Sequence, residues 1–169
     1  MFVFYSHKVP LIDNRVQNVI IWLKNNWTAG DLYSDFGNQY ECIAFMPKDQ
    51  FELKSKRYPN VWKFDRVNAD KLQHPTQKPL SLIRRLIECA TDKSEMILDP
   101  FMGSGTTAVA CKELDRQFIG FEINSDYVNI ANKRLMQETM FSFATKSDDG
   151  ANLTIAELPL NPIKTEGFN

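Results

Sequence analysis

The chain has 169 residues, the length of one domain, which excludes a multidomain enzyme. With 43% hydrophobic and 24% charged residues and a formal net charge of −1, it is a globular composition without a uniformly basic nucleic-acid coat, although a local basic patch remains open. Cys42, Cys89 and Cys111 are scattered and unpaired in motif, and neither an apolar stretch long enough to span a bilayer nor a signal peptide is found, so the expectation is a soluble cytoplasmic domain without a metal site.

The chain enters an apolar run directly after Met1, and Phe2–Tyr5 reads as the first strand. Val16–Leu23, Tyr40–Met46 and Val61–Phe64 are further strands, rich in β-branched and aromatic residues. Asn25–Gln39, rich in Asn, Gly, Asp and Ser, reads as a loop. After Pro79 the spacing of Leu80, Ile83, Leu86, Ile87 and Ala90 predicts a helix, with the proline at its first position. A short strand at Met96–Leu98, a Gly-rich turn, a helix over Thr106–Leu114, a strand at Phe118–Phe121 and a helix over Asp126–Met136 follow. This second half has the rhythm of a parallel α/β sheet. The tail after Met140 has no clear period and is expected to be a peripheral or mobile extension.

Charge is concentrated. Lys48 to Arg85 holds 10 basic and 4 acidic residues, a net of +6, against −7 for the remainder. Tyr58, Trp62 and Phe64 are interleaved with these cations, a pattern suited to phosphate contact and base stacking.

The sharpest motif is Met96-Ile-Leu-Asp-Pro-Phe-Met-Gly-Ser-Gly-Thr106. The strand ends at Asp99, and Gly103 and Gly105 permit a tight turn whose backbone can approach a ligand. The start of the next helix favours a polar or anionic ligand group. The following strand ends Phe118-Ile-Gly-Phe-Glu122, placing an acid at the neighbouring strand tip, where it can accept both hydroxyls of a ribose. Ala108 stands at the third position of the dinucleotide fingerprint, so spacing alone leaves NAD open. Asp99 is poorly placed beside a pyrophosphate but suits the ammonium of S-adenosylmethionine, and this charge logic favours S-adenosylmethionine. His7 and His74 are not read as catalytic bases.

His74-Pro-Thr-Gln-Lys-Pro-Leu80, Asp99-Pro-Phe-Met-Gly-Ser-Gly-Thr106 and Phe118-Ile-Gly-Phe-Glu122, in this order, resemble the β-type amino-methylating DNA methyltransferases. With a weaker match at Ile20-Ile-Trp-Leu-Lys-Asn-Asn26, the resemblance covers about Phe2 to Leu135. It implies a Rossmann-like, S-adenosylmethionine-dependent methyltransferase fold of the α/β class, incomplete at its N-terminus. The implied reaction transfers methyl to the exocyclic amino group of adenine, or less often cytosine, in double-stranded DNA. Asp99, Phe101, Gly103, Ser104, Gly105 and Thr106 would hold the methionine moiety, and Glu122 the ribose. Lys78 would pair with the cofactor carboxylate, with Thr76 nearby. Residues 1–47 would form pocket-side strands, 48–73 the target-recognition region, 74–140 the cofactor unit and 141–169 an extension. Lys54, Lys56, Arg57, Lys63 and Arg66 are the expected DNA contacts, and Trp22, Asn26 and Trp27 lie where the family shapes the pocket for a flipped base.

The family also uses an Asp/Asn-Pro-Pro-Tyr/Phe motif, whose carbonyls accept hydrogen bonds from the target amino group while the ring stacks on the base. The chain contains no Pro-Pro pair, so no catalytic residue is assigned. In the β-type order this motif comes first, so the expectation is a C-terminal portion, truncated or split, that needs a polypeptide supplying the motif. A non-catalytic DNA- or cofactor-binding remnant or partner subunit is the alternative, and a nucleotide-dependent oxidoreductase is a third.

Overall fold

The computed structural model describes residues 1–146 apart from 7, 9, 10, 12, 28–32 and 35, with the side chains of 138–146 also excepted. Strands β1 (Phe2–Tyr5), β2 (Asn18–Leu23), β3 (Tyr40–Phe45) and β4 (Val61–Lys63) come first. Helix α1 (Leu80–Ala90), β5 (Met96–Asp99), α2 (Thr106–Glu113), β6 (Gln117–Gly120) and α3 (Ser125–Lys146) follow. The strands and helices match the sequence expectations in type and order, with ends shifted by one or two residues, a short 3-10 turn at Ala69–Lys71 added, and two larger differences. Pro79 caps α1 rather than opening it; its carbonyl accepts the N–H groups of Leu82 at 3.1 Å and Ile83 at 3.2 Å. Helix α3 continues to Lys146, well past the predicted end at Met136. The predicted tail from residue 147 onward, and His7, lie outside the described residues.

The strands form two sheets. The first has the order β1-β3-β2-β4, with β3 antiparallel to both neighbours and β4 parallel to β2. The second pairs β5 with β6 in parallel, Asp99 lying opposite Gly120. The predicted parallel rhythm therefore holds for the second half, whereas β2 and β3 are antiparallel neighbours. Among the described residues β1 pairs only with β3, and β5 only with β6, so each sheet ends on an unpaired strand.

One core joins them. On β2, alternation sends Ile20 and Trp22 inward, where they meet Ile43 of β3, Trp62 of β4 and the buried α1 residues Leu82, Ile83, Leu86 and Ile87. Ile97 of β5 and Phe118 of β6 pack against the same cluster. Each fully buried aliphatic side chain contributes about 1.5–3 kcal/mol, and this shared core holds the two sheets to one helical layer. Helix α2 lies between α1 and α3, and its buried face is made of small residues, Ala108, Val109, Ala110 and Cys111. The opposite face of β5 and β6 is bare: Met96, Leu98 and Ile119 are exposed. Among the described residues no helix is long and apolar enough to cross a membrane, and no cluster of three metal-ligating side chains occurs.

Candidate cofactor and nucleic-acid site

The Gly-rich turn is tied shut from both strands. Beyond the β5–β6 ladder, Phe121 N–H donates to Asp99 O at 3.0 Å, and Met102 N–H to Phe121 O at 2.9 Å. Gly103, at φ 54°, donates its N–H to Glu122 Oε2 at 2.8 Å, and Asn124 N–H donates to Glu122 Oε1 at 2.9 Å. The Glu122 carboxylate thus braces the turn from the neighbouring strand. Gly105, at φ 79°, starts α2 and sits against α3; a Cβ there would stand 2.6 Å from Ala131 Cβ.

Asp99 accepts Phe101 N–H at 3.0 Å on Oδ1 and Thr107 Oγ1–H at 2.6 Å on Oδ2. Each carboxylate therefore has one protein donor on each oxygen, which leaves two of about four lone-pair positions for a ligand. The donor set fits S-adenosylmethionine: two carboxylates at adjacent strand ends for an ammonium and a diol, and exposed Phe101 between them in sequence.

The other expected cofactor residues divide. Ser104 and Thr106 are buried, and Arg134 Nη1 of α3 donates to Ser104 O at 2.6 Å and lies 3.2 Å from Thr106 Oγ1. Their side chains pin α3 to the turn. Thr107, which the sequence reading passed over, is the hydroxyl on Asp99. Thr76 Oγ1 lies 3.1 Å from His74 Nδ1. The His74 ring packs against Tyr127, tilted by 60° with centroids 4.2 Å apart, and lies against Gly103, where an added Cβ would be 3.5 Å from His74 Cδ2. The motif His74–Lys78 therefore borders the Gly-rich turn.

Lys78 is held by a carboxylate of the protein: its Nζ lies 2.6 Å from Glu41 Oε2, while Lys24 Nζ lies 2.8 Å from Glu41 Oε1. Burial pushes the Glu41 carboxyl up, but the hydrogen bonds and charges of Lys24 and Lys78 outweigh it and hold the group below its ordinary value. Neither Lys24 nor Glu41 was singled out from sequence. Behind the turn, burial and then the nearby Asp99 charge push the Cys111 thiol up to about 12, so it is an inert core group.

The aromatic residues of the basic region correct the stacking expectation. Trp62 is buried, with Nε1 donating to Pro59 O at 2.6 Å. The Arg85 guanidinium of α1 lies 4.4 Å from the Tyr58 ring and 5.3 Å from the Phe64 ring. These rings pack the chain rather than present faces to bases. Trp22, too, is core, its indole N–H bonded to Phe64 O at 2.8 Å, while Trp27 is exposed. Lys54 is paired with Asp92 at 2.9 Å, and Lys56 lies over the Tyr58 ring at 5.2 Å. Lys56, Arg57 and Lys63 are exposed. Arg66 and Asn26, separated in sequence, line one cleft of about 310 Å³ with Asn25 and Asn68. Arg66 N–H donates to Asn25 Oδ1 at 3.1 Å, which ties the segment after β4 to the end of β2.

The comparisons with known proteins bear on this geometry. The N6_N4_Mtase family, described as DNA methylase, matches residues 7–133. The chain belongs to this DNA methylase family. It is 35% identical over 131 residues to the type II methyltransferase M.HindIII of Haemophilus influenzae, covering 75% of this chain and 42% of that enzyme. It is 44% identical over 103 residues to the DNA adenine methyltransferase YhdJ of Escherichia coli, covering 59% of this chain and 35% of that enzyme. Among solved structures, the M1.HpyAVI-SAM complex superposes with a TM-score of 0.58 at 36% identity, covering 71% of this chain and 62% of that one. This DNA methylase chain thus spans about two-fifths of M.HindIII.

The PvuII cytosine-N4-specific DNA methyltransferase, at 15% identity and a TM-score of 0.63, shares the fold. The methylase fold is accordingly the Rossmann-like α/β architecture that the sequence motifs implied.

Proposed function

We propose that this chain forms the methyl-donor side of an adenine amino-methyltransferase acting on double-stranded DNA in the cytoplasm. One observation carries the reading: parallel β5 and β6 end on Asp99 and Glu122 around the Gly103–Gly105 turn, in a chain of the DNA methylase family. S-adenosylmethionine supplies the methyl group. Asp99 and the turn hold its amino-acid end, Phe101 packs against it, Glu122 takes the ribose hydroxyls, and Lys78 faces the carboxylate. The adenine preference is supported by YhdJ, a relative named as a DNA adenine methyltransferase.

Residues 48–73 are the target-recognition region of this reading. Exposed Lys56, Arg57 and Lys63 contact phosphate, while the Asn25–Asn26–Arg66 cleft offers amide and guanidinium donors to nucleobase edges. Residues 74–140 form the cofactor unit, and residues 1–47 supply the strands beside it.

Presentation of the base falls to a further polypeptide segment carrying the Asp-Pro-Pro-Tyr-like motif. Support for such a segment comes from the unpaired edges of β1 and β5 and from the bare apolar face of Met96, Leu98 and Ile119. Edges and faces of this kind are ordinarily covered.

Methyl transfer from labelled S-adenosylmethionine to duplex DNA tests the reading, with the chain alone and with a polypeptide carrying the motif. Transfer to adenine N6 only in the combined sample is expected. Full-rate transfer by the chain alone would overturn the need for a second segment, and transfer to cytosine would overturn the adenine assignment.

A further inference from the structure

Two lysines share one carboxylate at the end of β2. Lys24 follows β2 directly, Glu41 is the second residue of β3, and Lys78 lies two residues ahead of α1. Glu41 meets Lys24 on Oε1 at 2.8 Å and Lys78 on Oε2 at 2.6 Å. The Trp22 ring underlies both ammonium groups, at 5.2 and 5.6 Å, and the Phe4 ring lies 5.0 Å from Lys78. Among the described residues no other carboxylate pairs with either lysine. Among the described residues the cluster is therefore one anion short.

Exposure decides how the charge is divided. The Lys24 side chain is 5% exposed and the Lys78 side chain 23%. A cation as buried as Lys24 must be compensated locally, because desolvation is costly. Glu41 supplies that compensation from one oxygen and fixes Lys78 with the other. Lys78 is thereby held in one place with its positive charge largely unspent.

The segment that carries this charge starts at the Gly-rich turn. His74 lies against Gly103, and Lys78 is four positions further along the chain, a reach of at most about 14 Å. Resting on the cofactor reading above, we propose that Lys24 and Glu41 are positioning residues that leave the Lys78 charge available and aimed at the amino-acid carboxylate of S-adenosylmethionine. Lys24 acts without touching the ligand: it occupies the carboxylate that would otherwise neutralise Lys78.

Calorimetric titration of the full chain with S-adenosylmethionine and with its decarboxylated analogue tests this. Wild type is expected to bind the carboxylate-bearing ligand at least about tenfold more tightly, the effect of one charge-assisted hydrogen bond. In Lys24→Met, Glu41 is left to neutralise Lys78, and most of that preference is lost while analogue binding stays within about twofold. The double variant Lys24→Met/Glu41→Gln frees Lys78 again and restores the preference. Unchanged analogue binding also reports that both variants are folded.

Equal weakening of both ligands by Lys24→Met, no change in preference, or failure of the double variant to restore it would overturn the positioning role. Equal binding of both ligands by wild type would overturn the Lys78 seat and leave the cofactor reading standing. Binding of neither ligand by wild type would overturn both.

Discussion

Glu122 accepts an N–H from the Gly-rich turn on one oxygen and from Asn124 on the other, so it is a brace and, on the proposed reading, also a ligand group. Glu122→Gln keeps the size of the side chain but removes the charge and half of its acceptor capacity. It is expected to weaken S-adenosylmethionine binding by about tenfold or more, measured by calorimetry, because hydrogen bonds to charged groups contribute about 1.5–3 kcal/mol. Gly105 is constrained more sharply. An alanine there meets both a φ of 79° and Ala131 Cβ at 2.6 Å, and should cost about 2–4 kcal/mol in denaturant unfolding. Cys111, with its thiol pushed up to about 12, should resist iodoacetamide at neutral pH until the chain unfolds. Asp99, Gly103, Gly105 and Glu122 were legible in the sequence because a strand end, a turn and the next strand end are local patterns. Lys24, Glu41 and Lys78 were not read as a cluster, since β3 and α1 bring together residues up to 54 positions apart. Thr107 is not legible as the partner of Asp99, because spacing does not say which hydroxyl the helix turns toward that carboxylate.

At the scale of elements, α1 couples the sheets to each other. Leu82 is fully buried among Ile20, Trp22 and Trp62 from one sheet and is continuous with Ile97 and Phe118 of the other. Leu82→Ala is expected to cost about 2–5 kcal/mol, read from the shift in unfolding midpoint. The helices and strands were foreseeable from periodicity, since α1 repeats its apolar residues at helical spacing and β2 alternates. Helix α3 outran its prediction because the sequence pattern fades after Met136 while the backbone hydrogen-bond ladder continues to Lys146. The aromatics at Tyr58, Trp62 and Phe64 misled in the other direction. Interleaving with cations signals base stacking and internal cation–π packing equally, and only the position of Arg85 over their faces separates the two.

Across the whole molecule, the cofactor groups, the lysine cluster and the Asn25–Asn26–Arg66 cleft all lie near or beyond strand ends. The two sheets share a core yet, among the described residues, leave the edges of β1 and β5 unpaired. A chain built this way can hold a methyl donor and contact DNA phosphates while another segment presents the base. On the proposed reading, the turn between Asp99 and Glu122 binds S-adenosylmethionine and not a dinucleotide. Calorimetry of the chain with S-adenosylmethionine and with NAD tests it most directly. One saturable site for S-adenosylmethionine, abolished by Asp99→Asn combined with Glu122→Gln, and no heat with NAD is the predicted result; saturable NAD binding, or S-adenosylmethionine binding unaffected by the double substitution, would contradict it.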